Sequence, residues 1–488
     1  MMTSVALLGG APIQAQAQDP DLTWPPAMGE SGSAFGFIIH DAWQLESAIR
    51  VPVPGIQPMC DSLDDPECVE LAAKHGWWIL RVAPPCEQAL TWEECVEGLT
   101  IRRADGTESE LDFIGTAPGR TFPPDEARGL PTGSTMSLFS DSADPSVRYA
   151  VHLSGQMGRS AGDSSRPFTL NTFAAQVIPY RTVASEQQIG WTCIFWSKGV
   201  CGYRAPFPDG VSVSLSARLG NQVTGWLGGR LADPAIQVEP LGTRLNRLTV
   251  TARPVDVPLV ATAIGDNQAT PEIRDYWRKN CGAPGLCTVM NVQSAGPHGG
   301  DFLRLFADVL GDTATRVFPT WSVSNLEPHT SHPCLTDTKR LVGLVTTNAT
   351  VYRSAPPTFT DGSLKYQVAA LHRVPGGEVF LGSYDLVLRS DAARCLYGFS
   401  NAPIRAEISV TSDDGTEQVA TTSVSERDGW LHLAATGFHF SQPTISVALS
   451  SQEPPTETIV CKKGKKRKKV TGANPVCPTG WRPVAARP

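Results

Sequence analysis

The sequence predicts a mainly β protein: two antiparallel, Ig-like β-sandwich domains with a short helical connecting region between them and a basic C-terminal tail. Three features of the chain lead there. Forty proline and 44 glycine residues punctuate the 488-residue chain, cutting it into short apolar runs as turn-rich all-β proteins are cut. Several of those runs alternate apolar and polar residues, which puts one face in a core and the other in water. Ten of the twelve cysteines fall into sequence-close pairs, the pattern of a protein stapled by local disulfides. The length exceeds what a single core serves, and 41% hydrophobic residues is enough for ordinary burial in several domains.

Along the chain, residues 1–17 read as a signal peptide: Ser4 to Ile13 is largely apolar, and Ala15-Gln16-Ala17 has the small-x-small form of a signal-peptidase site. The basic n-region is missing, so either the true start is expected upstream or the signal is a weak one. An N-terminal segment, 18–84, follows. In it Asp65 N-caps a helix that has Pro66 at its first position, runs through His75 and stops at Gly76. Trp77-Trp78-Ile79-Leu80-Arg81-Val82 reads as a strand. The first sandwich spans 85–260, carried by the alternation in Val147 to Leu153, Val211 to Ala217 and Leu248 to Ala252.

Residues 261–326 form a mixed helical connector. Thr270-Pro271-Glu272 opens an amphipathic stretch to Asn280, and Asp301 to Leu310 places Phe302, Leu305, Phe306, Val309 and Leu310 on one helical face, read as core packed on a sheet. The second sandwich, 327–450, rests on Lys365 to Ala369, Arg405 to Val410 and Thr444 to Leu449, with Asp413-Asp414-Gly415 as a hairpin turn. Gly225-Trp226-Leu227 with Asp233-Pro234, and Gly429-Trp430-Leu431 with Gln442-Pro443, repeat one another at unequal intervals and suggest a duplicated module. Residues 451–488 are linker and tail. No run of about 18 apolar residues occurs after the leader, so no transmembrane segment is expected.

The close cysteine pairs are Cys60 with Cys68, Cys86 with Cys95, Cys193 with Cys201, Cys281 with Cys287, and Cys461 with Cys477, leaving Cys334 and Cys395. Spacing does not dictate connectivity, but the pattern points to six disulfides in an oxidising compartment. The remaining pair would clamp the two sheets of the second sandwich, or its first strands to its middle. Zinc ligation needs C-x-x-C spacing with a second pair or histidines nearby, and that spacing is absent. No metal and no cofactor is expected.

The tail is the most unusual segment. From Thr456 to Pro488 there are nine Lys or Arg against one acidic residue, a net charge of +8; the whole chain is at −7, so everything before the tail carries −15. Cys461 and Cys477 bracket Lys462, Lys463, Lys465, Lys466, Arg467, Lys468 and Lys469. A basic block on an acidic body reads as an arm for a polyanion, because the local field attracts anionic polymers that the body repels. Nucleic acid is disfavoured as that polyanion, since the tail has only Trp481 for base stacking.

Candidate chemistry is sparse. Gly162-Asp163-Ser164-Ser165 has the flavour of a serine-hydrolase nucleophile, with His40-Asp41, His152, His298, His329 and His332 as candidate bases. It lacks the G-x-S-x-G elbow and reads as a polar hairpin loop. Asp61, Asp64, Asp65 and Glu67 could ligate Ca²⁺, but their spacing is not that of an EF-hand and Asp65 already has a capping role. His298-Gly299-Gly300-Asp301 reads as a helix start. Of twelve tryptophans, most belong in cores. Trp191 and Trp196, at the Cys193 to Cys201 loop, are the pair placed to stack on a glycan ring.

The blocks Asp385-Leu386-Val387-Leu388-Arg389-Ser390, Arg394-Cys395-Leu396-Tyr397-Gly398-Phe399, Ala402-Pro403-Ile404, Gly429-Trp430-Leu431 and Gly437-Phe438 resemble those of a group of large secreted actinobacterial proteins. The tail, from Ile459-Val460-Cys461 through Lys469-Val470-Thr471 to Pro475-Val476-Cys477-Pro478, resembles the Cys-bracketed, Lys-rich tails of that group, and Gly225 to Pro258 also fits. The resemblance implies an exported envelope or extracellular protein and carries no catalytic or binding residue across. The expected function is therefore a secreted, cell-envelope-associated structural or adhesive binding protein, attached by its tail to an anionic cell-wall polymer or membrane surface, with a protein or glycan as further ligand. A secreted hydrolase acting on wall polymer or polysaccharide and a carbohydrate-binding module are the alternatives.

Overall fold

A computed structural model describes residues 33–40, 46–53, 57–163, 168–185, 193–220, 223–281, 289–294, 299–326, 332–398, 404–411, 417–418, 420–440, 444–451, 457–464, 466–472 and 476–484. The leader, Trp191, Cys287, Asp413-Asp414-Gly415, Pro443 and Lys465 lie outside them. The chain is mainly β, with several antiparallel sheets and few helices, as the sequence predicts.

One hydrogen-bonded ribbon organises it. Met59–Cys60, Ala48–Arg50, Trp77–Val82, Arg148–Arg159, Thr169–Ala184, Arg316–Asn325, Gly225–Arg230, Leu341–Thr347, Leu381–Arg389, Trp430–His439 and Thr421–Arg427 are successive neighbours. Every pairing in this path is antiparallel except that of Gly225–Arg230 with Leu341–Thr347. The ribbon thus runs through both sequence regions expected to be sandwiches, and Arg316–Asn325, from the expected helical connector, sits in its middle.

Two smaller sheets cover the ribbon. Ala232–Leu241, Leu245–Arg253, Ser212–Leu219, Cys95–Arg102 and Glu108–Glu110 form one, and Val351–Tyr352, Ser363–Ala369, Thr444–Ser451, Ile404–Thr411 and Glu417–Gln418 form the other. The strand Leu381–Arg389 shows how both are served. Val387 joins the core under the first small sheet with Val213, Leu215 and Val250. Tyr384, Leu386 and Leu388 join the core under the second with Tyr366, Ile445 and Val447. Period-two alternation therefore feeds two cores from one strand. Leu341–Thr347 is buried along its whole length, which explains its unbroken apolar start.

The local signals in the sequence have clear physical counterparts. Asp65 caps the helix Pro66–His75 by accepting from the Glu67 N–H at 3.0 Å, and Gly76 ends it at a left-handed φ of 81°. The first connector helix, Pro271–Cys281, starts where Thr270-Pro271 predicts.

The second connector helix differs from expectation. It breaks at Phe306 into Gly299–Leu305 and Ala307–Leu310, so the apolar face is not continuous. Phe302 and Phe306 are buried against Phe37, Ile273 and Trp277, whereas Val309 is 43% exposed. Two-residue turns Lys198-Gly199, Asp361-Gly362 and Asp428-Gly429, all at positive φ, close hairpins in the way such turns match strand twist. The Trp motifs occupy unlike places. Trp226 is in the second core and its indole N–H donates to the Leu335 carbonyl at 3.0 Å, while Trp430 packs at the edge of the first.

Among the described residues five disulfides are formed: Cys60–Cys68, Cys86–Cys95, Cys193–Cys201, Cys334–Cys395 and Cys461–Cys477. Cys334–Cys395 does not join strands. It ties the helical turn Pro333–Leu335 to the helix Ser390–Tyr397, because both cysteines lie in the connections flanking the ribbon. The pairing of Cys281 with Cys287 falls outside the described residues.

At the ribbon's centre the backbones approach too closely for side chains. A Cβ on Gly229 would overlap the Ser322 carbonyl, and one on Gly343 would lie 2.6 Å from the Trp226 ring and 2.7 Å from the Val387 carbonyl. Gly98, on a small-sheet strand, has nothing within 4 Å of such a Cβ. Gly229→Ala should therefore cost about 2 kcal/mol or more, and Gly98→Ala about 0.5 kcal/mol or less. Urea denaturation of the two variants checks this; equal midpoints would refute the crowding.

Candidate functional site

The tail forms a sheet of its own. Glu457–Lys463 is its central strand, flanked by Lys466–Gly472 and Arg482–Pro483. The chain reverses at Gly464, φ 61°. The register sets Lys462 opposite both Arg467 and Arg482, Lys463 opposite Lys466, and Cys461 opposite Lys468 and Pro483. Lys462, Lys463, Lys466, Arg467, Lys468, Lys469 and Arg482 are all exposed, and Cys461, bonded to Cys477, is fully buried. Six of the seven predicted polyanion-binding residues are thus brought together on one stapled element; Lys465 is outside the described residues. Like charges directly opposite one another in a sheet repel, so this element carries an electrostatic cost that an anion would relieve.

Trp196 lies in the hairpin of Cys193–Ser197 with Val200–Arg204. It is 38% exposed, and its indole N–H donates to the Ser185 carbonyl at 3.1 Å, which fixes the ring. Its expected partner Trp191 is outside the described residues. Trp92 is the other large aromatic exposed among the described residues.

Among the described residues the nucleophile and metal candidates take structural places. Gly162 and Asp163 stand in the connection between Arg148–Arg159 and Thr169–Ala184, and His152 is fully buried in the first of those strands. His332 accepts from the Cys334 N–H at 3.3 Å. Asp41, Ser164, Ser165, His298 and His329 are outside the described residues, as is the side chain of His40. Two members of the acidic cluster serve the structure: Asp65 caps a helix, and Asp64 pairs with Arg128 at 2.6 Å, which lowers the Asp64 pKa. No group of three or more potential metal ligands occurs among the described residues.

A second polar cluster leaves almost no trace in the sequence. Asp385 is opposite Ala434, so Asp385 and His432 share a face of the ribbon. The bulged start of Ala232–Leu241 comes down on that face, with Asp233 at a left-handed φ of 52°. Burial, with the like charge of Asp233 second, pushes the Asp385 carboxyl up to about 7. Burial, with Arg427 second, holds His432 below its ordinary value, and Arg427 Nε donates to His432 Nε2 at 3.3 Å. Thr346, opposite Asp385, and Ser383, two residues before it, have buried hydroxyls with no hydrogen-bond partner among the described residues. The arrangement offers a proton-binding position where two sheets touch. Only the Asp-Pro dipeptide at a strand start hints at it.

The chain matches no protein-family model and no curated protein. For Asp385, the carboxyl titrates near 3.8 when unfolded and about 7 when folded. Its contribution to stability is therefore full below the unfolded value and lost as pH rises through the folded one. Asp385→Asn should remove that loss, on the order of 4 kcal/mol across the window. Urea melts of both proteins between about pH 4 and pH 8 test this, and parallel profiles would refute it.

Proposed function

We propose that the chain is a secreted, envelope-associated structural or adhesive binding protein that attaches through its basic tail to an anionic polymer. The observation that carries this reading is the tail sheet, in which exposed cations stand side by side on a disulfide-stapled element. Among the described residues none of these cations is in an ion pair. The acidic remainder of the chain favours an arrangement in which the tail contacts the polyanion and the body is held away from it. Five disulfides support an oxidising compartment, in keeping with the export that the resemblance to secreted actinobacterial proteins implies.

Retention on isolated cell-wall material tests the proposal, using the full chain and a chain ended at Pro455. The full chain should be retained at about 0.01 M salt and released at about 1 M, where the screening length falls to about 3 Å. The shortened chain should pass through at both. Equal retention of the two proteins would overturn the proposal.

A further inference from the structure

The two faces of the tail sheet are not equivalent, although composition makes them look so. Residues directly opposite in a ladder share a face, and successive residues alternate. Lys462, Arg467 and Arg482 therefore form one straight row across all three strands, with Lys469 on the same face one step along. Lys463, Lys466 and Lys468 share the other face with Cys461. That second face carries the disulfide to the returning chain, since Cys461 is bonded to Cys477 and buried, although its lysines are exposed as well. The Lys463 side chain also lies over Gly480, whose Cβ would stand 3.4 Å from Lys463 Nζ.

Resting on the attachment reading above, we propose that the Lys462, Arg467 and Arg482 row is the recognition face, and that it takes a linear phosphodiester polymer lying across the strands. Neighbouring strands are about 4.8 Å apart, so the row is a line of three closely spaced cations. A phosphodiester chain carries its charges in line within the backbone, while polysaccharide carboxylates are ring substituents set beside it. The guanidinium forks at the row's ends suit phosphate oxygens. A membrane presents a plane of headgroups and is bound with the help of apolar anchors, whereas among the described residues this face offers only Val460 and Val484 as apolar neighbours of its cations. Bases would need aromatic platforms, and Trp481 precedes Arg482, one step out of the row.

The test uses full-length protein and poly(glycerol phosphate), with affinity measured across a salt series. K462Q/R467Q/R482Q and K463Q/K466Q/K468Q each remove three charges. The first should lower affinity at low salt by about ten-fold or more and reduce the log–log salt slope by about two; the second should lower affinity by about three-fold or less. Equal losses would overturn the face assignment while leaving attachment by the tail intact. Failure of the unmodified protein to bind would overturn both. Equal or tighter binding to hyaluronan, to vesicles containing phosphatidylglycerol, or to a thymidine oligonucleotide would overturn the assignment to a phosphodiester polymer without bases. Unchanged melting of each variant's cystine-intact tail, read by circular dichroism, assigns the losses to the face and not to unfolding.

Discussion

The buried guanidinium of Arg230 holds the central ribbon together. It is fully excluded from water and donates to the carbonyls of Thr347, Ala349 and Thr350, with the Tyr352 ring 4.4 Å from its centre. A charge so placed is tolerable only where dipoles and a π face replace its hydration. Those acceptors lie far along the chain, at the end of the parallel partner strand. Arg230 thereby secures the one parallel junction of the ribbon, between Gly225–Arg230 and Leu341–Thr347, and with it the connection between the early and late strands.

The same junction explains why small residues crowd there. Gly229 and Gly343 let four strands and the Trp226 ring approach within distances that no Cβ allows. Arg81 plays a comparable part near the end of the ribbon that begins with Met59–Cys60, where it donates to the Thr132 carbonyl at 2.9 Å and to Glu94 at 2.8 Å. The disulfides do different work. Four of them join cysteines only 8, 9, 8 and 16 residues apart, and each steadies a local feature, while hydrogen bonding and burial hold the distant parts together.

Much of the local structure is legible in the sequence because its causes are local. The Asp65-Pro66 cap, the Trp77 to Val82 strand and the alternating runs act through neighbours in sequence. The apolar face of Asp301 to Leu310 fails at Val309, because a break at Phe306 changes the helical phase and no residue there announces it. Elimination pairs Cys334 with Cys395, yet what they join depends on where the ribbon leaves its connections. The Asp385 and His432 cluster is nearly invisible for a stronger reason: it exists only where a bulge from one sheet meets the face of another.

In the tail, the charge and the two bracketing cysteines can be read from the residues alone, and with them a compact cationic element, since net charge and covalent chemistry do not depend on the fold. Which cations stand together is a matter of strand pairing. A single register, Lys462 opposite Arg467 and Arg482, sorts the basic run into a row free of the disulfide and a face that carries it. A shift of one residue would exchange the two faces, because side chains alternate along a strand.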